Sequence, residues 1–439
     1  MRALLVSYVF PPVGGAGVGR TLKLAKYLPD TGVQPSVLTC ANPSVPVFDE
    51  SLMRDVDPDM EIVRARTFEP GYGLKKATWE SDSGARRSGM RSLVGRAGGL
   101  ARAALVPDPQ ILWQPHAQLV LARRLAGARR DDVVFISGPP FSQFLLAPLA
   151  RARRPTAVVL DYRDDWATYR NTYEMMGRAS AVVGAGLERG LVRAAHAITT
   201  ATDAFRDRLL ADFPFLDPTR VHAIPNGYDP DDYPPAEELP GPPADRFVLT
   251  YAGTLFKLTS PQGLLGALRR LHREDPELAR LLEVRFIGRI VDTEAAHFDG
   301  AEALGVVQRG YLDKDEVVRE LAASHMVLCL LDDVPGAERI YPAKIFELMY
   351  LRRPCLTLAP PGALVDLCRR HRLGTVIAPR DEEAIAAFLA AALRRFRAGE
   401  PAPSIDPVDI ERYHRRAQAA QFAAVFEQAV RAASGDARA

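Results

Sequence analysis

Apolar residues along this chain fall into short continuous runs, separated by stretches where apolar positions recur every three or four residues. The runs predict strands over 3–9, 36–40, 61–66, 133–137, 157–162 and 197–201. A second series predicts strands over 247–252, 283–287, 306–309, 326–331, 355–358 and 375–377. Continuous rather than alternating apolar runs mark strands buried on both faces, as in parallel sheets. Strand–helix alternation of this kind predicts doubly wound α/β sheets.

The series pauses once. Residues 229–246 read DPDDYPPAEELPGPPADR, a stretch rich in Pro and acid that builds no core and is expected to be a linker. A first Rossmann-like domain is therefore expected over 1–228 and a second over 247–400, both of ordinary domain size. Residues 401–439 form a C-terminal helical segment. Its repeat of Ala417, Phe422, Val425, Phe426 and Val430 suits packing on either domain, the first included.

Composition narrows the class. Hydrophobic residues at 47% and charged residues at 25% are ordinary for a globular chain of 439 residues. A formal net charge of +2 disfavours a nucleic-acid partner. Cys40, Cys329, Cys355 and Cys368 form no Cys-x-x-Cys pair and read as small buried hydrophobes in a reducing compartment. The start, MRALLVSYVFPP, reads as a strand entering a loop rather than a signal peptide. No run approaches the roughly 20 apolar residues of a membrane span. A cytoplasmic location is expected, peripheral to the inner membrane face if residues 84–105 dock there. That segment carries Arg86, Arg87, Arg91, Arg96 and Arg102 beside a helical-period apolar stripe. It reads either as an anionic-membrane contact or as a solvated basic face over a buried stripe.

Candidate chemistry lies at strand ends. The first strand runs into Val13-Gly14-Gly15, where glycines let an anion approach backbone N–H groups at a helix start. Arg20 stands where a dinucleotide fingerprint needs Gly, and no acidic residue closes the second strand. No P-loop is present. In the second half, Gly253-Thr254-Leu255-Phe256-Lys257 precedes Ser260-Pro261, expected as N-cap and first helical residue. Lys257 reads as part of an anion site or as an exposed surface lysine. Within residues 341–354, Lys344 and Glu347 are three apart on one helix face. They read either as an intrahelical ion pair or as a cation and a ribose-binding carboxylate at a sheet mouth. Asp57-x-Asp59 and Asp229-x-Asp231 match a metal-binding spacing but sit in Pro-rich turns and read as turn residues.

Residues 341–354 resemble the donor-binding helix of retaining glycosyltransferases of family 4, which have the GT-B fold. Residues 13–19, Ile224-Pro225-Asn226-Gly227-Tyr228-Asp229 and Tyr251-Ala252-Gly253-Thr254 are similar to further landmarks of that family. Pro107-Asp108-x4-Trp113, Ser137-Gly138-Pro139-Pro140 and Asp161-Tyr162-Arg163-Asp164-Asp165-Trp166 resemble a subgroup acting on bacterial surface polysaccharides and related glycoconjugates. The resemblance covers nearly the whole chain. It implies two Rossmann-like doubly wound parallel-sheet domains facing across a cleft. It implies a metal-independent, hexosyltransferase-type enzyme with no cofactor. The co-substrate would be a nucleotide-diphosphate sugar, and the acceptor a hydroxyl on a surface polysaccharide, lipid-linked glycan or secondary metabolite.

By the same resemblance, Lys257 and Lys344 would neutralise the leaving diphosphate. Arg163 and Asp164, or Asp165, would face the acceptor, unless Arg163 and its aspartates only brace the loop. Donor binding would draw on Gly14, Gly15, Gly253, Thr254, Arg289, Tyr311, Leu312, Arg339, Tyr341, Pro342, Ala343 and Glu347. Two positions depart from the family pattern. Arg339 stands where members often carry a first glutamate, with Glu338 one step out of register, and Thr254 stands where many carry Arg. Two other readings stay open on this fold: a non-catalytic sugar-nucleotide or glycan-binding partner, and a sugar-nucleotide epimerase.

Overall fold

The computed structural model describes residues 1–15, 17–73, 105–127, 131–153, 155–166, 178–400 and 405–435. The 84–105 segment lies outside them except for Leu105. The described residues form two compact units, one of Met1–Pro225 with Arg415–Ala439 and one of Asn226–His414. Among the described residues no helix is long and apolar enough to cross a membrane.

The first unit is built on seven parallel strands: β1 (Arg2–Val6), β2 (Gln34–Cys40), β3 (Ile62–Ala65), β4 (Val133–Gly138), β5 (Ala157–Tyr162), β6 (Ala197–Thr200) and β7 (Val221–Ala223). Their order is β3-β2-β1-β4-β5-β6-β7. Strand β7 was not expected, because three residues with His in the middle give no apolar run. The continuous runs arise because both faces of the sheet are covered. Leu4 and Val6 face a cluster with Val134, Ile136, Trp113 and Leu121. Ala3 and Leu5 face the opposite cluster with Val133, Phe135 and Leu22.

The helices of this unit include α1 (Gly19–Tyr27), α2 (Gln114–Ala126), α3 (Ala147–Ala152), α4 (Arg178–Arg193) and α5 (Asp203–Asp212). Thr202 caps α5 by accepting from the Phe205 amide at 3.0 Å. The C-terminal helix, Arg415–Gly435, also packs on this sheet. Its Phe422 and Phe426 rings both lie 5.5 Å from Phe135 of β4.

The second unit is built on six parallel strands: β8 (Phe247–Ala252), β9 (Leu282–Ile287), β10 (Val306–Gly310), β11 (Met326–Leu330), β12 (Cys355–Leu358) and β13 (Gly374–Ile377). Their order is β10-β9-β8-β11-β12-β13. The winding therefore reverses between β8 and β11, where open α/β sheets bind ligands beyond the strand C-termini. Its helices include α6 (Gln262–Glu274), α7 (Lys314–Ala322), α8 (Lys344–Leu351), α9 (Ala363–His371) and α10 (Glu382–Arg397).

Local sequence sets these helices. Asp313 and Glu316 cap α7 reciprocally at 2.8 and 3.1 Å. Leu264, Leu265, Leu268 and Leu271 of α6 are buried as their spacing predicts. The N-cap expected at Ser260 is absent, since its hydroxyl donates to Glu294 at 2.6 Å and α6 begins after Pro261. All four cysteines are free and buried. Residues 229–246, read from sequence as a linker, fall within this second unit.

Candidate functional site

The switch point of the second unit collects most of the residues singled out from sequence. Strand β8 ends at Ala252, and Gly253 follows with φ +148. Strands β9 and β10 end the same way, at Gly288 with φ +119 and Gly310 with φ +65. Three neighbouring strand ends thus carry backbone conformations that favour glycine. The Gly288 amide donates to the Gly310 carbonyl at 2.5 Å and the Gly253 amide to Ile287 at 2.8 Å. A side chain on Gly288 would run into the Gly253 carbonyl.

Lys344, the first residue of α8, reaches into this row. Its Nζ donates to the Ala252 carbonyl at 2.6 Å and lies 3.8 Å from the centroid of the Tyr251 ring. A cation over an aromatic face is held electrostatically. A Cβ at Gly253 would collide with the Lys344 ammonium. Tyr251 in turn donates to the Thr254 carbonyl at 3.0 Å, and Thr259 donates to the same oxygen at 2.8 Å. The loop from Gly253 to Thr259 is therefore pinned. Lys257 sits on its last turn, Lys257–Thr259, and is exposed.

Lys344 and Glu347 do not pair with each other. The Glu347 carboxylate instead takes the Lys314 ammonium at 2.6 Å. The Glu347 carbonyl accepts from the Tyr233 hydroxyl at 3.1 Å. Tyr341 packs edge-on against Phe346 at 6.0 Å, and the Pro342 carbonyl accepts from the Ile345 amide at 3.0 Å. Ala343 is the N-cap residue, so α8 starts two residues after Pro342. Arg289 and Tyr311 are exposed beyond β9 and β10, with Leu312 half-buried beside Tyr311. Glu338 and Arg339 pair with each other, and Glu338 also accepts from the Gly336 amide at 3.0 Å. Sequence reasoning missed Asp332, which follows β11 and binds Arg380 through both carboxylate oxygens at 2.9 and 2.5 Å. It also missed Lys314, and it named Tyr251 only as part of a family landmark. Only the Asp332-Asp333 pair after a buried run hinted at the first of these.

The first unit treats its charged groups differently. Gly15 is exposed with φ +96, and the Gly14 amide is taken by the Val47 carbonyl at 3.1 Å. Arg163 donates to the Gly17 and Pro139 carbonyls and so braces the loops after β1 and β4. Burial pushes the Asp164 carboxyl above its ordinary value.

Arg20, noted from sequence only for spoiling a fingerprint, is buried and binds Asp161 of β5 at 2.7 to 3.2 Å. Ser137 and Thr199 also donate to Asp161, each at 2.7 Å. Burial alone would raise the Asp161 carboxyl, but Arg20 and these hydroxyls hold it below the usual carboxylate range.

The surface-polysaccharide-like motifs are framework here. Phe141 stacks on Trp166 at 4.6 Å, Trp113 donates to the Ala65 carbonyl at 3.0 Å, and Asp108 takes the Ser142 amide at 2.9 Å. Burial pushes the Asp108 carboxyl up to about 6. Asp57 and Asp229 each accept from the amide two residues on, at 2.9 and 3.1 Å, as turn residues do.

Two doubly wound parallel sheets, the second with a cation and a glycine row at its switch point, define the GT-B class. A family profile described as Glycosyl transferase 4-like domain matches residues 14–227, nearly all of the first unit's main segment. Residues 14–227 thus match the Glycosyl transferase 4-like family, and the fold is that of the GT-B glycosyltransferases.

A D-inositol 3-phosphate glycosyltransferase of Stackebrandtia nassauensis is 28% identical over 204 residues, 44% of this chain and 45% of that one. An alpha-maltose-1-phosphate synthase of Mycolicibacterium smegmatis is 33% identical over 109 residues, 23% of this chain and 27% of that one. The chain thus spans less than half the length of these relatives. Among solved structures, sucrose-phosphate synthase from Thermosynechococcus elongatus superposes with TM-score 0.59 at 13% identity, over 99% of this chain and 94% of that one. Anabaena Alr3699/HepE in complex with UDP and glucose does so with TM-score 0.55 at 13% identity, over 100% and 98%.

Proposed function

We propose that this protein transfers a sugar, of hexose type, from a nucleotide-diphosphate sugar to a hydroxyl acceptor with retention at the anomeric carbon and without a metal. The observation that carries the reading is the Lys344 ammonium seated against side-chain-free Gly253 at the β8–β11 switch point. A fixed cation there suits the diphosphate, and the glycine row lets that group approach the backbone. Glu347 then serves the ribose hydroxyls, and Lys257 reaches the diphosphate from the pinned loop. The bond from the anomeric carbon to the diphosphate breaks as the acceptor oxygen bonds on the same face. The leaving phosphate takes the acceptor proton. UDP and glucose in the Anabaena neighbour support a nucleotide-sugar donor. The acceptor hydroxyl belongs to a surface polysaccharide, a lipid-linked glycan or a secondary metabolite.

Thermal-shift titration against UDP-, GDP- and dTDP-sugars tests the binding half. A ligand at 100 times its Kd adds about 2.7 kcal/mol of stability. Lys257→Ala tests the chemistry, with an expected fall in turnover of about 10²–10³-fold. Stabilisation without transfer or donor hydrolysis would mark a non-catalytic binder, and wild-type turnover in Lys257→Ala would remove that lysine from the mechanism.

A further inference from the structure

We infer that Lys314 is a positioning residue that sets the protein's grip on the donor ribose; this rests on the reading of Glu347 as the ribose carboxylate. Lys314 opens α7, whose start is fixed by the Asp313–Glu316 capping box. Its ammonium lies 2.6 Å from Glu347 Oε1 and 3.8 Å from Asp232 Oδ2. The next residue, Tyr233, donates its hydroxyl to the Glu347 carbonyl at 3.1 Å. The rings of Tyr228 and Tyr233 both lie 4.7 Å from Tyr350, which follows Glu347 on α8. Residues 228–233 therefore hold Glu347 twice, at its main chain directly and at its side chain through Lys314.

The choice of cation carries the argument. Lys344 is the partner that helix spacing offers Glu347, yet it turns to the Ala252 carbonyl and the Tyr251 ring. A second lysine, from another helix, takes the carboxylate. The two ammonium groups are thus divided, one beside the glycine row and one on Glu347. An ammonium at 2.6 Å fixes the rotamer of the carboxylate. Ribose hydroxyls then meet an oriented anion, which accepts hydrogen bonds more strongly than a neutral or wandering group. An ion pair serving stability alone would leave ribose selectivity untouched.

The test is calorimetric titration of the full chain with UDP, GDP and ADP and with their 2′-deoxy and 3′-deoxy counterparts. Wild type should prefer the ribonucleotide that it binds by about tenfold or more over a deoxy form. Lys314→Met should bring that ratio close to one while leaving the deoxy affinity within about twofold. Lys314→Arg should keep most of the preference, and Lys314→Gln, the milder change should Lys314→Met fold poorly, should give an intermediate ratio. An unchanged ratio in Lys314→Met and Lys314→Gln would overturn the inference. So would an equal weakening of every ligand, which is what a purely structural role predicts. In both cases nucleotide binding by wild type would leave the donor reading intact. A wild type that binds none of these nucleotides would overturn both.

Discussion

The loops at the two switch points start from the same design and use their cations in opposite ways. In the first unit, Arg163 ties the loop after β1 to the loop after β4, and Arg20 sinks its guanidinium onto Asp161 and the Ile224 and Pro225 carbonyls. Both act as bolts. In the second unit, Lys344 lies over an aromatic ring beside a glycine row, and Lys257 stands exposed on the following turn. Arginine suits the first task because its planar fork satisfies several fixed acceptors at once, and lysine suits the second because it is a compact point charge. The same fold therefore separates a braced pair of loops from a loop where a cation lies beside a glycine row.

The largest effect expected from this contrast is on stability. Arg20 is 2% exposed and Asp161 0%. Removing one partner of a buried pair leaves an uncompensated charge, at a cost of about 3–5 kcal/mol. Arg20→Met should therefore lower the melting temperature by roughly 10 °C, read by calorimetry. Pairing it with Asp161→Leu should recover part of the loss, because both charges then leave together. A loss under about 1 kcal/mol for Arg20→Met would mean that Arg20 is not a bolt.

Next comes a matched pair of glycine substitutions. Gly253 and Gly15 both have positive φ, but a Cβ at Gly253 meets Lys344 while one at Gly15 meets open space. Gly253→Ala should displace the ammonium and lower kcat/KM for the donor by roughly 10²-fold. Gly15→Ala should cost backbone strain, about 1–2 kcal/mol, and lower donor kinetics less than Gly253→Ala, since it displaces no ammonium. Equal kinetic losses in the two variants would erase the proposed difference between the loops.

What the sequence made legible follows from how local each signal is. Nine residues of β5 and β8 together, such as Val158, Leu160, Leu249 and Tyr251, are buried and apolar, so the apolar runs alone marked those strands. Strand β7 lacks such a run, since its pairing with β6 is what makes it a strand. Lys344 and Glu347 were legible as a helix face, but their real partners, Ala252 and Lys314, come from 92 and 33 residues away. Arg20 shows the same limit: its partner Asp161 is 141 residues distant. Residues 229–246 lack core-forming runs, yet Asp232 and Tyr233 bond to groups on α7 and α8 through polar atoms that hydropathy does not register. Long-range polar pairing is set by the assembled sheet, and no spacing rule reads it.

The smallest expected effect tests a feature that the two units share. His196 stands just before β6, and His325 just before β11. Each donates its own amide to a neighbouring-strand carbonyl, Val158 at 2.8 Å and Val248 at 3.0 Å. Each ring Nδ1 accepts the amide of that same valine, at 2.9 and 3.1 Å. An accepting Nδ1 must be unprotonated. Burial, with Arg353 nearby, holds His325 below the ordinary histidine value. The unfolded chain therefore binds a proton that the folded state resists. His325's contribution is fully present above about pH 6.5 and is lost as pH falls toward its folded value. His371 follows the same sign, since burial lowers it and its Nε2 lies 2.9 Å from the Tyr413 hydroxyl. Denaturant titrations from pH 7.5 to 5 should show stability declining below about pH 6.5, with a shallower decline in His325→Asn, whose carbonyl still accepts without titrating. An identical decline in that variant would mean that His325 binds its proton equally in both states and that the shared valine contact has no part in the acid response.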